Sequence, residues 1–227
     1  MYKRFLTGIF VFLFILNNSA QQTPVKLDFK KMETEIKDKN SPFYYPALTT
    51  RYTSNDTMLT VEEYRYLYYG FSLQDKYSPY GRSALNDELK KCYKNKDTVK
   101  IIELEKRVLK EYPFNLGDLY EININLEKNG QAEEARLYYK KMIGVAKAIL
   151  STGDGHTDST AMYVISVDHE YDMIGLMGYR FGNSQSLLQN KGHSMDQMKL
   201  EKNEENIEYL YFNVDRLFDK MKDMFKK

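Results

Sequence analysis

The 227 residues contain no tryptophan, a single cysteine and three histidines. One thiol, Cys92, excludes an intramolecular disulfide, so stability has to come from packing. Cys92 also falls among apolar positions of an expected helix, which reads as a buried and inert thiol. So few histidines leave little material for a general base or a metal ligand, and no G-x-S-x-G elbow, H-E-x-x-H pair, P-loop or dinucleotide glycine pattern occurs. Charge of one sign is missing as well: 33 Lys and Arg stand against 32 Asp and Glu. Without a basic excess gathered on one face, nucleic acid is not the expected partner. Long apolar runs are absent after the first twenty residues, so no later segment approaches the ~20 apolar residues of a bilayer span.

The first twenty residues are different. Lys3 and Arg4 precede the apolar run FLTGIFVFLFIL from Phe5 to Leu16, and Asn17 to Ala20 are small or polar. That order of charged start, short apolar core and small-residue end predicts a cleavable secretory signal with Gln21 as the new N-terminus. No cysteine follows the run, which excludes lipid attachment there. The expected product is exported, periplasmic or extracellular, with no transmembrane segment after cleavage.

Aromatic residues are plentiful, with 20 Tyr and 12 Phe, and the tyrosines concentrate between Tyr44 and Tyr80. Phe29, Met32 and Ile36 recur at helical spacing and predict a short helix from Asp28 to Lys39, ended by Asn40, Ser41 and Pro42. The stretch SPFYYPALTTRYTSND, to which no helix is assigned, leads to Thr60 and, three residues later, Glu63. That capping-box pattern predicts a helix to about Tyr69. Tyr64, Leu67, Tyr68 and Phe71 share one face of it and read as core. Tyr66 and Tyr69 then point elsewhere, and together with Tyr77 and Tyr80 they are the candidate partner-binding residues, since exposed tyrosines supply contact area at low entropic cost.

The middle third carries an internal repeat. Asn95-Lys96-Asp97-Thr98 and Asn129-Gly130-Gln131-Ala132 stand 34 residues apart, and Val108 and Leu109 answer to Met142 and Ile143. This is the tetratricopeptide period, with Gly130, Ala135, Tyr139 and Pro113 at consensus places and Leu119 and Asn123 departing from them. Two such units span about residues 82–150. The asparagines of a carboxylate clamp are replaced by Glu121 and Ile124, which excludes that mode of peptide capture.

Beyond Leu150 the loop STGDGHTDS introduces β-prone runs at 162–167, 174–181, 186–189, 195–200 and 207–214, divided by turns at Gly182-Asn183, Asn190-Lys191-Gly192 and Lys202-Asn203. An antiparallel meander is the expected arrangement. Val214, Leu217, Phe218, Met221 and Phe225 close the chain as an amphipathic helix packed on that sheet. The reading is therefore α+β: a signal at 1–20, tetratricopeptide-like helical hairpins at 21–150, and at 151–227 a small antiparallel sheet with a C-terminal helix.

The segments LTVEEYRYLYYGFSLQDKYSPYG, GDGHTDSTAMYVISVDHEYD, SQSLL and YLYFNVD, with the repeat-like centre, resemble a bacterial exported family known as a domain of unknown function, numbered 4919. The resemblance implies helical repeats followed by a β-containing end, and it brings no activity or catalytic residues with it. Asp154, His156 and Asp158, joined by Asp168, His169 and Asp172, offer oxygen and imidazole ligands, yet Gly153-Asp154-Gly155 is ordinary turn chemistry and no complete ligand set accompanies it. No metal or cofactor is assigned, and no catalytic residue. The expected role is non-catalytic binding of a protein or cell-envelope component. The rival is a hydrolase or metal-assisted enzyme built on the His156 and His169 loops.

Overall fold

A computed structural model describes residues 23–190 and 192–225, with nine α-helices, a short 3-10 turn and four strands among them. The expected signal segment and Gln21 lie outside the described residues. The described chain divides into two compact units: Asp28–Ala148, and residues 149–225 together with 23–27.

In the helical unit, α1 (Phe29–Lys37) starts where the Asp28 side chain accepts from the Lys31 amide at 2.9 Å, and it buries Met32 and Ile36. Next comes α2 (Tyr45–Thr53), a helix the sequence reading did not assign. Pro46 sits in its first turn, where a missing N–H costs nothing, and Thr49, Thr50 and Thr53 return their hydroxyls to helix carbonyls. The helix α3 (Val61–Phe71) opens on the expected capping box. Glu63 N donates to Thr60 Oγ1 at 3.1 Å and Thr60 N to Glu63 Oε2 at 2.7 Å. Arg51 of α2 pairs with Asp56 at 2.7 Å and also with Glu63, which ties the α2–α3 connection to that cap.

Two helical hairpins complete the unit: α4 (Asn86–Asn95) with α5 (Thr98–Glu111), and α6 (Leu116–Lys128) with α7 (Ala132–Leu150). Both turns reverse through a left-handed residue, Lys96 at φ 55° and Gly130 at φ 76°. Asp97 and Asn115 cap α5 and α6 by accepting from the amides three residues on. Leu89, Cys92, Ile101, Leu104 and Val108 form one buried cluster, so the thiol is core as expected. Asn123, at a place that favours a small residue, is buried and donates to the Ala135 carbonyl at 2.9 Å, joining α6 to α7.

Close approach explains one helical glycine. The Tyr64 ring lies over Gly144 of α7, and a Cβ there would come within 2.2 Å of its Cζ. Overpacking of this kind costs about 1–3 kcal/mol, whereas replacing a helical glycine by alanine gains up to about 1 kcal/mol. Gly144→Ala is therefore expected to lower the urea midpoint even though alanine is the better helix former. A rise in the midpoint would show that the Tyr64 ring is free to move.

The second unit holds a four-stranded sheet in the order β1-β4-β3-β2, with β1 at Met162–Tyr163, β2 at Phe181–Asn190, β3 at His193–Leu200 and β4 at Tyr209–Asn213. The last three form the expected antiparallel meander, while β1 joins β4 in parallel, so the sheet is mixed. Two strand expectations are corrected. The run at 162–167 pairs only through its first two residues, and most of 174–181 is not strand, because α8 (Asp168–Leu176) occupies 168–176. Its acids Asp168 and Glu170 lie in the first turn, and Gly178 at φ 87° follows its end. Gly182-Asn183 is likewise not an inter-strand turn but an irregularity within β2, with Asn183 at φ 59°. The closing helix α9 (Asp215–Phe225) packs against β3, burying Leu217. Among the described residues no helix is long and apolar enough to cross a membrane.

Candidate functional site

Of the four candidate tyrosines, only Tyr80 is open to solvent, at 58% exposure. Tyr66, Tyr69 and Tyr77 are buried, which overturns the expectation that Tyr66 and Tyr69 point away from the core. The reason is that α3 is covered on more than one side. Tyr66 stacks on Phe43 with ring centroids 3.8 Å apart and donates its hydroxyl to Glu35 of α1, while Tyr69 meets Phe29 edge to face at 6.2 Å. Tyr77 packs edge to face on Phe71.

The two histidine loops do not build a shared centre. His169 is buried on α8, and burial pushes its imidazole down to about 3, so it is neutral. His156 stays exposed beside Asp154 in the loop before β1. Burial tends to raise the Asp154 carboxyl, but hydrogen bonds from Thr160 at 2.6 Å and the His156 amide at 3.0 Å outweigh it and hold the group below the usual range. Among the described residues no three His, Cys, Asp or Glu side chains are placed to hold one metal ion. A third imidazole is the oriented one. His193 Nδ1 lies 2.6 Å from Asp215 Oδ2, and the Ser194 amide fixes the same carboxylate at 2.6 Å. Sequence spacing gave no sign of this pair, because it depends on β3 meeting the start of α9.

The most unusual electrostatics in the helical unit lie where α4, α5 and α6 meet. Glu105 sits on the buried stripe of α5 between Ile101 and Val108, 1% exposed. Its Oε1 accepts the Tyr93 hydroxyl of α4 at 2.8 Å, and its Oε2 has no hydrogen-bond partner among the described residues. Asn125 of α6 lies 3.5 Å from that hydroxyl and donates to the Glu121 carbonyl at 2.8 Å. Burial above all, then the charges of Asp118 and Glu121, push Glu105 up to about 8 against the opposing Tyr93 hydrogen bond. Burial and the same acids Glu105 and Glu121 raise Tyr93 too. Burial and the neighbouring acids together keep a proton on this innermost carboxyl at neutral pH. Asp118 is half-buried and Glu121 exposed, so the field reaches the surface. Such a face attracts ammonium and guanidinium groups, and an adjacent tyrosine ring adds cation–π attraction.

Residues 30–223 match a family described as Domain of unknown function (DUF4919), and the chain belongs to it. No curated protein and no solved structure matches the chain.

Proposed function

We propose that this member of the DUF4919 family is a non-catalytic binding module of the cell envelope, and that it takes a basic segment of a protein partner on the α4–α6 face. The observation that carries the reading is the cluster of Glu105, Asp118 and Glu121 around Tyr93, with Glu121 exposed at its rim. Two features of the hairpins support it. Their turns recur at the tetratricopeptide spacing with matching left-handed residues, Lys96 and Gly130, and helical repeats of that kind offer the first helix of each pair to a ligand. Glu121, standing where a carboxylate clamp would need asparagine, favours a cationic group over a carboxylate. Export is the other half of the proposal and rests on the charged, apolar and small-residue order of residues 1–20.

The test is capture of partners from the native cell envelope by the purified chain, compared with Glu121→Lys. Electrostatic capture is screened over about 10 Å at 0.1 M salt, so bound partner should elute as salt is raised. Reversing Glu121, an exposed position, should reduce capture about tenfold or more while leaving the melting temperature unchanged. Capture that survives both high salt and Glu121→Lys would overturn the proposal.

A further inference from the structure

The outer strand β2 carries neither charge nor proline in its sequence FGNSQSLLQN. Edge strands are ordinarily protected from pairing by lysine, proline, an inward charge or a covering segment. The far side of the sheet has such protection: β1 lies along the end of β4, and the Tyr211 amide is taken by the Gly155 carbonyl at 2.8 Å. On β2, residues 182–190 make no backbone hydrogen bond beyond the β3 ladder among the described residues. After the irregularity at its start, β2 keeps a regular register on β3 from Gln185 to Asn190. The strand is also held in place from its inner side. Gln185 donates to Asp196 at 2.7 Å and accepts from the Tyr171 hydroxyl of α8 at 3.0 Å. At the middle of the free edge stands Leu187, 51% exposed, the one large apolar side chain of the sheet left so open among the described residues.

We infer that the β2 edge pairs antiparallel with β2 of a second copy of this chain, about a two-fold axis at Leu187. The strand is complementary to itself. That axis sets Leu187 against Leu187, Gln185 against Gln189 and Ser184 against Asn190, so the exposed leucine is covered and the amides meet side by side. Pairing by an even offset keeps each side chain on the face it already occupies, as the alternation of a strand demands. The absence of charge means that no like-charge pair arises when the strand meets itself. An interface of this kind is isologous and closes at two copies. It is independent of the α4–α6 face.

Sedimentation of the full chain should give twice the mass of one chain at about 10–100 µM, with dissociation on dilution. Leu187→Lys puts two ammonium groups opposite each other and should weaken the dimer by about a hundredfold or more. A second variant tests the register. Cα atoms of residues directly opposite in an antiparallel pair lie about 4.5–5.5 Å apart, within disulfide range. Since the native thiol Cys92 is buried, Leu187→Cys should form disulfide-linked dimers on mild oxidation, while Ser184→Cys alone should not. A mixture of the Gln185→Cys and Gln189→Cys chains should link to each other. A wild-type chain that stays monomeric, a dimer indifferent to Leu187→Lys, or linking no faster for Leu187→Cys than for Ser184→Cys would each overturn the inference.

Discussion

Stability of the sheet-containing unit is expected to hold a plateau between about pH 4.5 and 6.5, to fall on either side, and to lose most of its alkaline fall in Glu170→Gln. Glu170 on α8 is fully buried, and its side chain faces the Asp196 carboxylate, to which the protonated acid donates. Burial first, and the nearby Asp196 carboxylate second, push it up to about 9 from an ordinary value of 4.5. Between those values the folded chain keeps a proton that the unfolded chain has lost. Its contribution is therefore most favourable below pH 4.5 and is lost as pH rises toward 9, at about 1.4 kcal/mol per unit. The loss over the window is on the order of 5 kcal/mol, comparable with the whole stability of a modest domain. His169, the residue before it, works in the opposite sense. Its imidazole is pushed down to about 3 by burial, so stability is present above 6.5 and is lost as pH falls toward 3. Where the two windows overlap, the slopes cancel, which makes the plateau. Urea denaturation across pH 4 to 9, followed in the wild type and in Glu170→Gln, checks this. Glu105, raised to about 8, lies in the helical unit, so its alkaline slope belongs to that unit's unfolding and not to this one. An unchanged alkaline limb in Glu170→Gln would mean that water or a neighbouring donor solvates the carboxyl.

These buried groups show how far the residues themselves lead. Thr60 with Glu63, Lys96-Asp97 and Gly130-Gln131 are local chemistry, each deciding a cap or a turn through neighbours a few residues away, and the helices appear where that chemistry puts them. The helix α2 escaped because YPALTTRYT is rich in threonine and opens on proline, a composition that suits turns as well as a first helical turn. The helix α8 escaped because nine residues with Met, Ile and Gly carry too little periodicity to separate a short helix from a strand. Glu105 was within reach: it follows Ile101 by four residues and precedes Val108 by three, so α5 was bound to bury it. The His193–Asp215 pair and the free β2 edge were not, since both arise from strand order, which no local pattern records.

Truncating Tyr69 or Tyr66 to alanine is expected to destabilise the helical unit as Tyr64→Ala and Tyr68→Ala do, against the division of labour that helical phase alone suggests. Phase places rings around a helix but says nothing of how many sides the rest of the chain covers. Here α1 and α2 both pack on α3, and the face holding Tyr66 and Tyr69 is closed by Phe29, Phe43 and Glu35. Tyr69 is fully buried, and removing such a ring leaves a cavity its neighbours do not refill, at a cost of about 3–5 kcal/mol. Tyr66→Ala loses the stacked contact with Phe43 and the hydroxyl that satisfies Glu35. Tyr66→Phe keeps the ring and should cost only the hydrogen bond, about 1.5–3 kcal/mol for one to a charged acceptor. Tyr80, 58% exposed, is the control, and its truncation should stay within about 0.5 kcal/mol of the wild type. Equilibrium urea unfolding of Tyr66→Ala, Tyr66→Phe, Tyr69→Ala and Tyr80→Ala separates these cases. If Tyr66→Ala and Tyr69→Ala unfold at the Tyr80→Ala midpoint, the aromatic layer between α1 and α3 is open in solution, and those two rings return to the list of partner contacts.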